Sequence, residues 1–156
     1  MKAKAITLVL TMFVVSAGVW AQQDPAVGTW KLNLAKSKYS PGPAPKANTM
    51  KIEPYGKGGQ MVTTDGANAQ GAPTHLEWSG EFDGKDYPLK GSQAADTASA
   101  KRIDPNTVEF RGKKGAKVTV TTRGTVSKDG KTTTATTTGR NAKGQRIKNV
   151  EVYDKQ

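Results

Sequence analysis

The sequence predicts an all-β fold, an antiparallel up-and-down meander of about eight to ten strands that closes into a barrel. Apolar residues recur with a period of two in several segments, which is the spacing of a half-buried strand. Turn-forming residues separate these segments. After Gln22, no segment shows the apolar stripe of an amphipathic helix. A β-sandwich built from the same strands is the alternative architecture.

The first 21 residues predict a cleavable export signal. Lys2 and Lys4 precede an apolar run, and Val19 and Ala21 occupy the minus-three and minus-one positions of a signal-peptidase site. The run is shorter than the roughly 17 to 25 apolar residues that a membrane-spanning helix needs. We therefore expect residues 22–156 to form one domain that is periplasmic or secreted, and not a transmembrane protein.

The chain has no cysteine. This excludes a disulfide framework, thiol catalysis, cysteine-ligated metals and the lipid anchor of bacterial lipoproteins. The predicted domain is long enough to form a single core without such covalent support. Its stability must therefore come from apolar packing and from backbone hydrogen bonds.

Alternation of apolar and polar residues defines the strands. In three segments the apolar residues that share one strand face are Gly28, Trp30, Leu32 and Leu34; Leu76, Trp78 and Phe82; and Val118, Val120 and Val126. Val108 and Phe110 repeat the pattern. Together with β-branched runs, this predicts strands at residues 27–34, 48–54, 60–64, 74–83, 85–90, 97–103, 106–111, 116–127, 131–139 and 145–153.

Short turns connect several of the predicted strands. Asp-Gly pairs occur at 83–84 and 129–130, Asp-Pro-Asn at 104–106, and a further turn lies at 141–144. Connections this short force neighbouring strands to pair antiparallel and leave no room for crossover helices. Since closing the sheet removes its costly free edges, a barrel is favoured over a sandwich.

Two segments depart from the alternation. The segment from Ser40 to Pro45 holds three prolines and predicts an extended connector that crosses one end of the barrel. The run from Lys131 to Thr138 holds six threonines and shows no apolar face. Its β-branched residues favour a strand, and the missing apolar face predicts an edge or solvent-rich strand.

The predicted first strand carries a family resemblance. Residues 27–33 read VGTWKLN and are followed by KSK at 36–38 and a Pro-Gly-Pro loop. This opening resembles that of bacterial exported proteins described as lipocalin-like, and its Gly-x-Trp element is the short signature of lipocalin and calycin barrels. The resemblance implies a lipocalin-like β-barrel in which Gly28 and Trp30 have a structural role in barrel closure. It also implies that an arginine of a late strand stacks near this tryptophan, the candidates being Arg123, Arg140 and Arg146.

The same resemblance implies a barrel that holds a small apolar ligand. By strand phase, the candidates for the ligand-binding wall are Trp78, Phe82, Tyr87 and Phe110, with Met50 and Met61 as further candidates. A filled core is the alternative role of these side chains, because a small barrel can be packed solid.

The positive charge is concentrated in the second half of the chain. The sequence holds 24 Lys and Arg against 13 Asp and Glu, a net charge of +11. Residues 22–100 contain eight basic and eight acidic side chains, and residues 101–156 contain fourteen and five. This asymmetry predicts contact with an anionic envelope component, with solubility as the alternative explanation. The candidate residues are Arg111, Lys113, Lys114, Lys117, Arg123, Arg140, Lys143, Arg146 and Lys148. Nucleic acid is disfavoured, because few aromatic residues accompany these cations.

The sequence contains no recognisable catalytic constellation. His75 is the single histidine and shares a strand face with Glu77, but no third metal ligand is specified. A nucleophile elbow is absent, and the glycines at 56–59 precede no helix, so a phosphate-binding loop lacks its context. We therefore expect a protein that is not an enzyme and that needs no metal or cofactor. Two hypotheses remain: a lipocalin-like binding protein for a small apolar or amphipathic ligand, and a structural or interaction protein of the cell envelope that binds anionic surfaces.

Overall fold

A computed structural model describes residues 23–156 as a closed barrel of ten antiparallel strands. The strands are β1 Gly28–Leu32, β2 Ala47–Tyr55, β3 Gly59–Ala67, β4 Pro73–Gly80, β5 Tyr87–Lys90, β6 Thr97–Asp104, β7 Thr107–Lys114, β8 Lys117–Val126, β9 Thr132–Arg140 and β10 Arg146–Lys155. Each strand pairs with its neighbours in sequence, and β1 closes the barrel by pairing with β10. The predicted signal peptide, residues 1–21, lies outside the described residues.

The predicted up-and-down barrel is confirmed, and the sandwich alternative is wrong. The predicted turns at 83–84, 104–106, 129–130 and 141–144 all connect consecutive strands. At two of these turns Gly130 and Gly144 adopt positive φ angles of 70° and 76°, which favour glycine. From residue 23 onward, the chain has no helix long and apolar enough to cross a membrane.

The threonine-rich strand β9 is not an edge strand, so the edge alternative of the prediction is wrong. Most of its residues remain partly exposed. It lies between β8 and β10 and pairs with both along most of its length. Its register places Thr133, Ala135 and Thr137 on the inner face of the barrel, where Thr133 is 4% exposed. Small residues suit this position because they leave space inside the barrel that large apolar side chains would fill.

Three predicted inward positions also differ. Strand β1 ends at Leu32, and Leu34 lies in a short 3₁₀ turn where it is exposed. Strand β4 ends at Gly80, so Phe82 lies beyond the alternating segment. The register between β7 and β8 shifts between Gly112 and Lys113, and beside this irregularity Val118 is 45% exposed. A bulge changes strand phase, which simple alternation cannot foresee.

The buried core forms two clusters inside the barrel. One contains Trp30, Leu32, Ile52, Val126 and Tyr153. The other contains Trp78, Ala98, Ala100 and Val108, with Phe110 packed against it. Val62 contacts both clusters. Because several members of the second cluster are alanines, the clusters do not fill the space between the strands.

The chain just before β1 plugs one end of the barrel. Asp24 accepts hydrogen bonds from Gln60, at 2.8 Å, and from Arg102. Ala26 contacts the first core cluster and accepts a 2.8 Å hydrogen bond from the indole nitrogen of Trp30. We call this the plugged end, formed by residues 24–26, Trp30, Gln60 and Arg102.

Candidate functional site

The barrel encloses a cavity of about 250 Å³ beside the two core clusters. Its wall is mainly apolar and is built from inward-facing residues of strands β2 to β9, with Ala26, Ser92 and Asn106 added from outside the strands. Among the larger wall residues are Met50, Val62, Trp78, Leu89, Phe110 and Val120. Several of these side chains are only partly buried, which means that their packing leaves open space in the interior beyond the plugged end.

Two of the four predicted ligand-binding residues line this cavity. Trp78 and Phe110 pack edge to face with ring centroids 5.1 Å apart, and the indole nitrogen of Trp78 donates to the backbone oxygen of Ala98. This hydrogen bond satisfies the polar atom of a buried aromatic and fixes its orientation. Of the two methionines, Met50 lines the cavity and Met61 is exposed on the outer surface.

Phe82 and Tyr87, the other two predicted residues, lie outside the cavity wall. The Arg102 guanidinium lies 4.4 Å from the ring centroid of Phe82. Tyr87 packs against the far side of Trp78, with centroids 6.1 Å apart, and its hydroxyl donates to Asp83. Phe82 lies in the β4–β5 connection and Tyr87 is the first residue of β5. Both pack against the second core cluster and are not part of the cavity wall.

Gly28 and Trp30 lie at the plugged end, as the resemblance implied. Trp30 is fully buried, and the cation above its ring is Lys155, with the ammonium 5.0 Å from the centroid. The predicted arginine partner is therefore wrong. Arg123 faces outward and binds Glu109 instead. Gly28 has a φ of 144°, and a side chain there would meet Lys155 at 2.8 Å, so glycine leaves room for this lysine.

One polar atom of the cavity wall has no hydrogen-bond partner. Thr133 is one of the residues that line the cavity, and its hydroxyl is buried and unsatisfied within the part of the chain that the structure describes. Leaving a buried hydroxyl unpaired costs roughly 1–3 kcal/mol.

A polar cluster lies on the inner face of β10, next to the cavity-lining strand β9, and sequence analysis missed it. The register pairs Glu151 with Ala135 and Tyr153 with Thr133, so both side chains point into the barrel. The hydroxyl of Tyr39 donates to Glu151 at 3.0 Å, and Asn48 donates to the hydroxyl of Tyr153 at 3.0 Å. We call these four residues the polar cluster.

Burial perturbs all three titratable groups of the polar cluster. It raises the pKa of Glu151 above its ordinary value, although the hydrogen bond from Tyr39 opposes this. Burial and the nearby carboxyl of Glu151 raise the pKa values of Tyr39 and Tyr153. The two phenols therefore remain protonated at neutral pH.

We expect Glu151→Gln to stabilise the barrel more at pH 8 than at pH 4. The folded chain binds the Glu151 proton more tightly than the unfolded chain. The carboxyl therefore favours folding at low pH, and this contribution is lost as the pH rises from about 4.5 through the raised pKa. Urea unfolding at both pH values measures the difference. Glu53→Gln, which alters an exposed carboxylate that is paired with Lys51, is the control. A gain from Glu151→Gln that is equal at both pH values would contradict the assignment.

The nine predicted anion-binding residues separate into two groups. Four are partly neutralised, because Arg111 and Arg123 pair with Glu109, and Lys113 and Lys114 pair with Asp86 and Asp96. Four others line a single surface groove of about 740 Å³ that contains no acidic residue: Lys117, Arg140, Arg146 and Lys148. Lys143 lies in the β9–β10 turn at this groove. We call the groove that these four cations line the basic groove.

His75 lies on the outer surface between two carboxylates. Its Nδ1 is 2.6 Å from Asp65 and its Nε2 is 3.2 Å from Glu77. The hydrogen bond to Asp65, followed by that to Glu77, raises the pKa of this exposed histidine. Within residues 23–156, no group of three or more His, Asp or Glu side chains is arranged to hold a metal ion.

No protein-family model and no curated protein matches this sequence. Among solved structures, the wild-type fluorescent protein UnaG is 16% identical, with a TM-score of 0.52 over 84% of this chain and 97% of that chain. A mutant of UnaG is 15% identical, with a TM-score of 0.55 over 85% and 96%. A redesigned β-barrel is 13% identical, with a TM-score of 0.49 over 85% and 92%. The likeness to UnaG supports the closed barrel and nothing finer.

Proposed function

We propose that the protein is an exported, non-catalytic binding protein that holds a small apolar or amphipathic molecule inside its barrel. The observation that carries this proposal is the unfilled and mainly apolar cavity inside the barrel. Ligand pockets typically measure about 300–1,000 Å³. The cavity of about 250 Å³ lies just below that range and therefore suits a small ligand.

The cavity wall supports binding without catalysis. Its aromatic residues Trp78 and Phe110 offer apolar surface, and the single histidine lies on the outside of the barrel. Export is supported by the sequence of residues 1–21. The absence of cysteine excludes a lipoprotein-type anchor, which suits a mature protein that is free in the periplasm or outside the cell. The lipocalin-like opening at 27–33 is consistent with both parts of the proposal.

Native mass spectrometry tests this function directly. We expect the mature protein, purified gently from the exported fraction of a bacterial host, to carry a reproducible extra mass that is lost on denaturation. If only the mass of the polypeptide is observed, the protein is next incubated with a mixture of neutral, anionic and cationic metabolites that are apolar or amphipathic. A protein that remains bare after that incubation would overturn the proposal. Retention of the whole N-terminal segment in the exported protein would overturn the proposed cleavage.

A second candidate function is docking on an anionic envelope surface. The specific observation in its favour is the basic groove, in which four cations from β8, β9 and β10 lie together without an acidic neighbour in the lining. Near a membrane surface each such cation contributes about 1 kcal/mol of attraction to anionic lipid. These four cations all belong to the second half of the chain, where the sequence has its excess of basic residues.

We expect the double variant Arg146→Gln and Lys148→Gln to bind phosphatidylglycerol vesicles about tenfold or more weakly than the native protein, because two attractive charges are lost. The matched control is the double variant Arg111→Gln and Arg123→Gln, which removes the same charge from cations that Glu109 already neutralises. Vesicle co-sedimentation at several salt concentrations measures both, and added salt should weaken the native interaction. Equal losses in the two variants would argue against the groove.

A further inference from the structure

Glu151 places an acidic group inside the barrel without a basic partner. In the polar cluster, Tyr39 donates a hydrogen bond to this carboxyl, and Tyr153 lies on the same face of β10. Asn48 donates to the hydroxyl of Tyr153. We propose that the cavity selects a small amphiphile whose polar end is a protonated amine, which Glu151 binds while the apolar part lies against Trp78 and Phe110. This inference rests on the proposed function and names the class of its ligand.

The first step is the position of the carboxyl. Directly opposed residues in an antiparallel pair have Cβ atoms about 4.5–5.5 Å apart. Glu151 is opposed to Ala135, and Tyr153 is opposed to Thr133. Both β9 residues line the cavity. The carboxyl therefore lies on the same inner face as the unpartnered hydroxyl of Thr133, one strand away from the cavity wall.

The second step is the charge around the carboxyl. Within residues 23–156, Glu151 forms no ion pair, and its hydrogen bond from Tyr39 occupies one of its two oxygens. An ionised carboxylate can accept about four hydrogen bonds, so most of its capacity is unused. The neighbouring cations Arg146 and Lys148 have the opposite strand phase and line the outer groove. Arg102, which reaches the cavity, is bound to Asp24 at the plugged end.

The third step is the chemistry of the surrounding groups. Asn48 uses its amide nitrogen to reach Tyr153, which leaves its carbonyl oxygen as an acceptor. Phenol rings such as those of Tyr39 and Tyr153 also attract cations through their π electrons. A protonated amine offers N–H donors to these acceptors and compensates the buried carboxylate. A ligand carboxylate would instead be repelled by Glu151.

The fourth step is the orientation of the ligand. The polar cluster lies on β10, β2 and the segment after β1, whereas Trp78 and Phe110 lie on β4 and β7 on the other side of the closed sheet. An amphiphile thus meets polar groups at one wall and aromatic surface at the other. The net positive charge of the outer surface acts weakly here, because exposed charges are largely screened beyond about 8 Å at physiological salt.

The test compares three ligands that differ only in their polar end. Octylamine, octanol and octanoate are titrated into the purified protein at pH 7.5, with isothermal calorimetry as the readout. We expect octylamine to bind at least about tenfold more tightly than octanol, and octanoate to bind most weakly. Octanol or octanoate binding as tightly as octylamine would overturn the inference and leave the proposed function standing. If none of the three binds and native mass spectrometry also finds a bare protein, both proposals fail.

Glu151→Gln supplies the matched variant, because it keeps the shape of the side chain and removes its charge. We expect it to weaken octylamine binding about tenfold and to leave octanol binding unchanged. Glu53→Gln removes the same charge from the exposed ion pair with Lys51 and should change neither affinity. Equal octylamine affinity in the native protein and in Glu151→Gln would overturn the assignment of this residue. The comparison of the three ligands on the native protein does not depend on the folding of any variant.

Discussion

Filling the cavity from Gly124 is expected to abolish ligand binding while the barrel stays folded. Gly124 lies on β8, lines the cavity and is opposed to Ala135 on β9. A Cβ atom at this position would meet no atom within 4 Å, and the backbone is not in a left-handed conformation. A phenylalanine can therefore extend into the empty space without a backbone clash. We expect Gly124→Phe to weaken binding at least about a hundredfold, which corresponds to about 2.8 kcal/mol.

Gly124→Ala is the matched control for this prediction. It adds one methyl group, leaves most of the space of about 250 Å³ open and should change affinity little. Alanine in a strand interior is also more favourable than glycine by roughly 0.5–1 kcal/mol, so this variant should unfold at a slightly higher temperature. Calorimetric titration gives the affinities, and circular dichroism verifies the fold. Native affinity in Gly124→Phe would show that the ligand binds elsewhere.

Removing the tryptophan of the plugged end is expected to give the largest loss of stability. Trp30 is fully buried, packs with Leu32, Ile52, Val126 and Tyr153, and donates to the backbone of Ala26. Truncating a buried tryptophan to alanine costs about 3–5 kcal/mol. Since whole domains are stable by only about 5–15 kcal/mol, Trp30→Ala should lose a large fraction of the total. Urea unfolding followed by circular dichroism measures the change.

Two further variants separate the causes of this loss. Trp30→Phe keeps an aromatic ring and removes the hydrogen bond to Ala26, so it should fall between the native protein and Trp30→Ala. Val118→Ala truncates an apolar residue that is 45% exposed and should cost well under 1 kcal/mol. If Trp30→Ala is no more destabilising than Val118→Ala, the tryptophan does not hold this end closed.

The barrel and half of its aromatic wall could be predicted from the sequence, because strand alternation and turn residues are local signals. Trp78 and Phe110 lie in regular segments, so the alternation of their strands correctly places both side chains on the inner face, where they line the cavity. Phe82 and Val118 were misplaced for a physical reason. Strand β4 ends before Phe82, and Val118 lies beside an irregularity in the β7–β8 register. Irregularities of this kind depend on the paired strand, which local alternation does not describe.

Glu151 could not be predicted because its strand reverses the usual pattern. The sequence Val150-Glu151-Val152 suggests that the valines face the core and that the acid faces water. In the barrel, Glu151 shares the inner face with Tyr153, and the valines point the other way. The phase of β10 is fixed by its pairing with Leu32 and Thr133, not by its own hydrophobicity. The ligand class proposed above depends on this internal acid.

The pairing that closes the barrel also sets the order of events when the protein folds. Trp30 is opposed to Lys155, so the first and last strands must pair before the barrel has a closed interior. Contacts between residues so far apart in sequence form slowly, because the chain between them has to be ordered first. Until then β1 and β10 are free edges, open to pairing with other chains. A chain that stops short of β10 would therefore remain an open sheet, and any ligand would have no compartment to enter until the final strand is in place.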